Sequence, residues 1–219
     1  MHTSVTEENY LKAIFALSNG NLQAANNQQI ADKLGINPAS VSDMLRKLNE
    51  RGLIAYHRKT GALLSEEGMQ VAAKTIRKHR LWETFLVQQL NFTWDEVHDV
   101  AEQLEHIDSE KLIQEMDKLL GYPKFDPHGD PIPDGNGQLP KYHPIALSNA
   151  VIQKTYTLCG ITNHSSAFLQ FLDTFSLGIG STVQITGFQP FDRSMSVLLN
   201  QTTSTVFSFT VCSNLLVMQ

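Results

Sequence analysis

Apolar residues recur every three or four positions along the first part of the chain, which is the spacing of amphipathic helices. Residues 6–18 form the first such segment, and Thr6 is its predicted N-cap. Residues 27–35 and 38–52 form two more, separated by a short turn, and Asn37 is the predicted cap of the second. The pattern therefore predicts three helices in close succession.

Apolar and polar residues alternate at residues 53–64 around the turn sequence HRKTG, which predicts a short hairpin. Two helices joined by a tight turn and followed by a basic hairpin are typical of a winged helix-turn-helix. In that motif the second helix enters the major groove of DNA, and the hairpin reaches phosphate or the minor groove. The predicted DNA-contacting residues are Asn37, Pro38, Ala39, Ser40, Ser42, Asp43, Arg46, Lys47, Arg58 and Lys59.

Helical periodicity resumes at residue 65, pauses after residue 90 and continues from residue 94 to 120, where Asp108 or Ser109 is the predicted cap of the last helix. Residues 121–145 hold six of the eight prolines, so this segment is predicted to be a linker without regular structure. Beyond it, charges are few and short β-type runs appear, including TVFSFTV at residues 205–211, with a helix predicted at 165–175. These runs predict a small barrel of the SH3-like kind.

Composition excludes several classes of protein. The chain has no apolar run of about 18 residues, so no transmembrane helix is expected. Its first ten residues lack the basic-then-apolar order of a signal peptide. Two cysteines, Cys159 and Cys212, without a CxxC pair argue against a disulfide scaffold or a thiolate zinc site. A cytoplasmic protein is expected.

Charge is distributed unevenly along the chain. Residues 32–80 hold ten Lys and Arg against five Asp and Glu, a net charge of +5. Residues 81–140 hold three Lys and Arg against thirteen Asp and Glu, a net charge of −10. A basic segment followed by an acidic one indicates a polyanionic partner for the first and cations for the second.

The segment VHDVAEQLEHI, residues 97–107, combines a buried helical stripe with potential metal ligands. His98, Glu102, Glu105 and His106 form a continuous arc along one side of that stripe. Imidazole and carboxylate groups at this spacing can converge on one or two divalent metals. The alternative is a solvated acidic face.

Several short motifs appear in a characteristic order after the winged motif. They are HRLWE at residues 79–83, VHD at 97–99, EH at 105–106 and GDPIP at 129–133. In this order the whole chain resembles the diphtheria toxin repressor family of iron- and manganese-dependent transcriptional regulators. The resemblance implies a regulator that Fe²⁺ or Mn²⁺ converts into a dimeric, operator-binding form.

The resemblance also implies three domains and two metal sites. The domains are a winged helix-turn-helix at residues 1–73, a helical metal-binding and dimerisation domain at 74–140, and an SH3-like domain of the FeoA type at 141–219. The implied ligands are Asn9, Glu102, Glu105 and His106 for the primary site, and His79, Glu83, His98 and His164 for the ancillary site.

Three positions bear on the choice of metal. Iron-selective relatives place a cysteine where this chain has Glu102, so the resemblance is nearer to the manganese type. Asn9 and Lys12 depart from the family, because relatives place methionine or aspartate at the first position and manganese-type members place an acid at the second. An oxygen-rich ligand set without thiolate suits Mn²⁺, or alternatively Fe²⁺, with one or two ions per subunit.

The expected function is a metal-loaded repressor that binds double-stranded operator DNA as a homodimer, with no membrane and no small organic substrate as partner. A regulator that responds to a small molecule, with a purely structural His/Glu cluster, is the alternative. A metalloenzyme is not expected, and no catalytic residue is predicted, because no nucleophile–base pair or glycine-rich phosphate loop is evident. His128, in the proline-rich segment, is assigned no role.

Overall fold

The computed structural model describes residues 3–18 and 21–219. The chain forms two compact units, each built from several segments. The first unit contains Met1–His79, Gln103–Glu110 and Pro133–Leu139, and the second contains Arg80–Glu102, Lys111–Ile132 and Pro140–Gln219.

Helices predominate in the first part of the chain and strands in the last part. In chain order, the described elements are α1 (Val5–Leu17), α2 (Asn27–Leu34), α3 (Pro38–Glu50), β1 (Ile54–His57), β2 (Gly61–Leu64), α4 (Glu66–Leu90), α5 (Val97–Leu104), α6 (Glu110–Leu119), β3 (Ile145–Ala146), β4 (Thr155–Ile161), α7 (Ser166–Asp173), β5 (Thr182–Phe188), β6 (Met195–Leu199), β7 (Thr203–Phe207), α8 (Phe209–Asn214) and β8 (Leu215–Met218). None of these helices is both long and apolar enough to cross a membrane.

The first unit contains the predicted winged helix-turn-helix. Gly35 ends α2 in a left-handed conformation, with φ of 65°, and Asn37 caps α3 by accepting a hydrogen bond from the Ala39 amide. Strands β1 and β2 pair antiparallel from Ile54–Leu64 to His57–Gly61. Apolar residues of α1, α2, α3 and both strands share one core, so the hairpin is fixed against the two helices.

Helix α1 begins earlier than the sequence predicted. Ser4, rather than Thr6, is the N-cap. The Ser4 hydroxyl accepts from the Glu7 amide, and the Glu7 carboxylate accepts from the Ser4 amide at 2.9 Å. This reciprocal capping box satisfies two amides at the helix start, whereas Thr6 has no acid three residues later to complete one.

The second unit contains the predicted small β domain. Six antiparallel strands have the order β3-β8-β4-β5-β6-β7. Their buried side chains form one core with α7, α8 and the partly buried Trp94. The predicted strand at residues 205–211 is wrong in its second half, because β7 ends at Phe207 and the Ser208 hydroxyl caps α8 by accepting from the Val211 amide.

As expected, the proline-rich segment contains no helix or strand before β3. Its part in the second unit is nevertheless held by hydrogen bonds and by contact with β4. Asp126 Oδ1 accepts hydrogen bonds from the amides of His128 (2.8 Å) and Asp130 (2.9 Å). Gly129 has φ of 86° and lies so close to Cys159 of β4 that a Cβ atom would collide with its carbonyl. The turn therefore packs on β4 and buries His128.

Candidate functional site

The first cluster of potential ligands surrounds Glu105, which directly follows α5 and lies in the first unit. Its carboxylate has no exposed surface. Lys12 of α1 donates to both carboxylate oxygens, at 2.9 Å and 2.7 Å. His79 Nδ1 of α4 lies 2.6 Å from Oε2. Nitrogen groups from two helices thus converge on one buried carboxylate.

His106 adds a ligand atom to this cluster. Its Nδ1 lies 2.6 Å from Glu8 Oε2, and its Nε2 lies 3.5 Å from Glu105 Oε1. Nε2 is buried and makes no hydrogen bond within the described residues, and the same holds for Asn9 Oδ1. When His106 Nδ1–H donates a hydrogen bond to Glu8, Nε2 carries the lone pair and lies beside the Glu105 carboxylate. Histidine and carboxylate groups are arranged in this way around protein-bound metals.

A second cluster lies in the second unit, where Glu83 of α4 meets Asp126 and His128 of the proline-rich turn. All three residues are buried, and their potential ligand atoms lie within 4.8 Å of one another. His128 Nε2 donates to the Trp94 carbonyl at 2.8 Å, which fixes the proton there. Nδ1 therefore faces the carboxylates, 3.7 Å from Glu83 Oε2 and 4.0 Å from Asp126 Oδ1.

In the second cluster, carboxylates lie close enough together to shift the pKa values of the buried groups. Burial raises the pKa of Asp126 well above its usual range, and the nearby charges of Glu83 and Asp130 raise it further. Burial alone would lower the pKa of His128, but the adjacent carboxylates of Glu83 and Asp126 raise it to about 9. A divalent cation would relieve the repulsion between these carboxylates.

Three more side chains surround the second cluster. His98 Nδ1 lies 3.4 Å from Glu83 Oε1, and its Nε2 lies 3.8 Å from Glu102 Oε1. The His164 ring packs edge-on against the His128 ring, with centroids 5.1 Å apart. Burial lowers the pKa of His164, which favours the neutral imidazole that ligates metals.

Arg80 holds the proline-rich turn in place. Its Nη1 donates to the Pro131 carbonyl at 2.5 Å, and its Nη2 lies 3.4 Å from Asp130 Oδ2. Its Nε lies 3.7 Å from Asp126 Oδ2. The guanidinium thus fixes the backbone beside Asp126 and neutralises part of the surrounding negative charge.

The predicted DNA-contacting surface is exposed with one exception. Ser42 is partly buried, and its hydroxyl accepts from Asn27 Nδ2 at 2.8 Å, so it joins α2 to α3 instead of lying on the exposed face as expected. Asp43 and Arg46 form an exposed pair at 2.9 Å. The remaining members are exposed, namely Asn37, Pro38, Ala39, Ser40, Lys47, Arg58 and Lys59.

Comparison with known proteins places these features in a family. Residues 2–62 match the N-terminal DNA-binding domain of the iron-dependent repressors, and residues 65–134 match their metal-binding and dimerisation domain. The structure of the manganese regulator SloR is 31% identical in sequence, with a TM-score of 0.76, and the match covers 97% of this chain and 98% of that one. This chain belongs to the iron-dependent repressor family.

Other members of the iron-dependent repressor family extend the comparison. A manganese-dependent transcriptional repressor in complex with manganese is 29% identical, with a TM-score of 0.86, over 97% of this chain and 99% of that one. The iron-dependent repressor IdeR of Mycobacterium tuberculosis is 33% identical over 128 residues, which are 58% of this chain and 55% of IdeR. The chain spans about half the length, or less, of the first curated relatives that it matches.

Family membership confirms the resemblance inferred from the sequence motifs and the predicted fold class. The domain limits at residues 73 and 140, and the individual ligands, stay predictions. Within single units, the structure brings together Glu105 with His106 and with His79, Glu83 with His98, and His98 with Glu102.

The structure adds side chains to the predicted ligand clusters. In α1, Glu8 contacts His106, and ligation by the neighbouring Asn9 stays a prediction. Asp126 and His128 were missed, because proline density marked their segment as a linker. The signal that could have found them is DPHGD, in which a histidine lies between two acids in a tight turn.

Proposed function

We propose that this chain is a transcriptional repressor that binds operator DNA as a homodimer when loaded with Mn²⁺, with Fe²⁺ as the alternative ion. The observation that carries the proposal is the buried cluster of Glu83, Asp126 and His128, since two carboxylates and an imidazole are buried together at a cost that a divalent ion offsets. The proposed role is regulatory and not enzymatic, and it belongs to the cytoplasm, where the DNA is accessible.

The donor set supports a hard divalent ion. One proposed site takes Glu105 and His106, with Asn9 as a further ligand and with His79, which the resemblance assigned to the other site but which lies 2.6 Å from Glu105 Oε2. Glu102, the remaining ligand predicted for this site, lies in the second unit beside His98. The other site takes the buried cluster, with His98 and His164 as further ligands. These ligands are carboxylate, amide and imidazole groups without a thiolate, which suits Mn²⁺ or Fe²⁺. Mn²⁺ supplies the charge that clustered carboxylates need.

Helix α1 supports a coupling between metal and DNA within the first unit. Glu7 pairs with Arg51 at 2.5 Å and with Lys47 of α3 at 3.2 Å. The next residue, Glu8, contacts His106. Because one helix joins the recognition helix to the proposed metal site, ordering of α1 by metal also orders α3. We expect a reciprocal coupling of about 1–3 kcal/mol between metal and DNA.

The test is fluorescence anisotropy of the purified protein on DNA from its own promoter region. Mn²⁺, anaerobic Fe²⁺ and Mg²⁺ are titrated separately, with a chelator as reference. We expect DNA binding with Mn²⁺ or Fe²⁺ at micromolar levels and not with Mg²⁺. Equal binding with chelator present would contradict the proposal and favour the small-molecule-responsive regulator.

A further inference from the structure

Lys12 lies beside Glu105 where a cation is needed. Its ammonium donates to both carboxylate oxygens, at 2.9 Å to Oε1 and 2.7 Å to Oε2. Glu105 has no exposed surface, and a buried carboxylate is costly unless positive charge or hydrogen-bond donors compensate it. The chain itself therefore provides a cation for this carboxylate.

The proposed metal requires the same carboxylate. His106 Nε2, the buried nitrogen without a hydrogen bond in the described structure, lies 3.5 Å from Glu105 Oε1. A divalent ion bound by this nitrogen and Oε1 would lie within a few ångströms of the ammonium that bonds the same oxygen. Two cations at that separation repel each other strongly in a buried environment. Glu105 therefore cannot bind both cations as tightly as it would bind either one alone.

The Lys12 ammonium can move away from Glu105 into solvent. Its side chain keeps 20% of its surface exposed, whereas the Glu105 side chain keeps none. Rotation about the lysine torsions carries the ammonium into water while the apolar stem stays on the protein. The carboxylate has no such freedom. Metal binding therefore displaces the lysine, and the loss of its ion pair weakens the net metal affinity.

We infer that Lys12 is an internal competitor of the metal, whose ammonium holds Glu105 until a divalent ion displaces it. The inference rests on the proposed function, because it concerns the ion that Glu105 and His106 would bind. Lys12 raises the metal concentration at which the regulator responds. Below that concentration it keeps α1 attached to Glu105.

The test compares three lysine variants. Lys12→Met removes the charge and keeps the length, and Lys12→Arg keeps the charge. Lys74→Met is the matched control, because Lys74 forms an exposed pair with Glu110 at 3.5 Å and its loss changes the net charge equally. Binding of Mn²⁺ alone is measured by electron paramagnetic resonance of the free ion, and the thermal midpoint is measured in chelator.

We expect Lys12→Met to bind Mn²⁺ about 10–100-fold more tightly than the wild type at one site. In chelator the same variant unfolds at a lower temperature, because Glu105 loses its cation, and added Mn²⁺ reverses the loss. Lys12→Arg and Lys74→Met stay close to the wild type in both measurements. The thermal midpoint in chelator does not depend on metal binding, so it gives a second readout.

Equal or weaker Mn²⁺ binding by Lys12→Met, beside a wild type that binds, overturns the inference and leaves the proposed function intact. Absence of Mn²⁺ binding in both proteins overturns the proposed function and this inference with it. If Lys12→Met does not fold, Lys12→Gln replaces it, since glutamine keeps a hydrogen-bond donor for Glu105 without the charge.

Discussion

Glu7 is a buried acid at the contact between α1 and the recognition helix. Its side chain is 2% exposed and pairs with Arg51 and Lys47. Burial alone would raise the pKa of Glu7, but hydrogen bonds from Arg51, the Ser4 amide and Lys47 lower it to about 2. The same residue completes the capping box of α1, so one carboxylate stabilises both the start of α1 and its contact with the recognition helix.

The lowered pKa predicts an acid dependence of stability. The folded state favours the carboxylate form, so this contribution is complete above the usual pKa of 4.5 and is lost as the pH falls towards 2. We expect Glu7→Gln to destabilise the protein by about 1–2 kcal/mol near neutral pH and by clearly less at about pH 3. Urea unfolding at both pH values measures the difference.

Asp43→Asn is the control for Glu7→Gln. Its carboxylate pairs with Arg46, but the two side chains are 78% and 68% exposed, so little effect is expected at either pH. An equal loss of stability for Glu7→Gln at both pH values would show that its effect is not electrostatic.

At the scale of elements, the proline content of the proline-rich turn predicted only part of its structure. Prolines exclude helix and strand there, which the structure confirms. They do not prevent the turn from being ordered by backbone amides that donate to the Asp126 carboxylate, and by contact with β4. A loop fixed in this way can carry buried ligands such as His128.

Gly129→Ala tests that attachment. The left-handed backbone and the collision of a Cβ with the Cys159 carbonyl should cost about 2–4 kcal/mol of folding free energy. Chemical unfolding measures this cost, and Mn²⁺ stoichiometry should fall as His128 moves. Gly135→Ala, where a Cβ would meet no atom within 4 Å, is the control. If both variants behave alike, the turn is not held by this close approach.

The wing, β1–β2 with its tip, gives a second prediction at the scale of elements. Arg58 and Lys59 are both exposed at that tip. Their joint replacement by alanine should weaken DNA binding about tenfold and reduce the slope of log affinity against log salt by about 1–2, because phosphate contacts are lost. Lys154→Ala, exposed in the second unit, should change neither quantity. An unchanged salt slope in the double variant would show that the wing does not contact the DNA phosphates.

At the scale of the whole molecule, each compact unit has its own cluster of ligands. The first contains Glu105 with His106, and the second contains Glu83, Asp126 and His128. The sites are therefore separable by mutation. We expect the wild type to bind two Mn²⁺ ions per subunit, and His106→Ala or Asp126→Asn to bind one each.

Metal analysis of the dialysed proteins and titration with Mn²⁺ give the stoichiometry. His143→Ala, an exposed histidine outside both clusters, should keep both ions. Loss of both ions in either single variant would mean that the clusters form one interdependent site.

The sequence alone determined the elements that depend on neighbours in the chain. The Asn37–Pro38 start of α3, the glycine end of α2 and the periodicity of the helices are local, and the structure confirms them. The predicted helical arc is wrong at its end, because α5 ends at Leu104 and Glu105 and His106 lie in the turn that follows it.

The partners that these side chains meet depend on tertiary packing. Lys12 and Glu105 are 93 residues apart, and Glu8 and His106 are 98 apart. Packing of α1 in the core sets its rotation, which brings Glu8 to His106. Burial of His128 likewise depends on contact between a turn and a distant strand. Such contacts follow from the packing of the entire core, which no local pattern encodes.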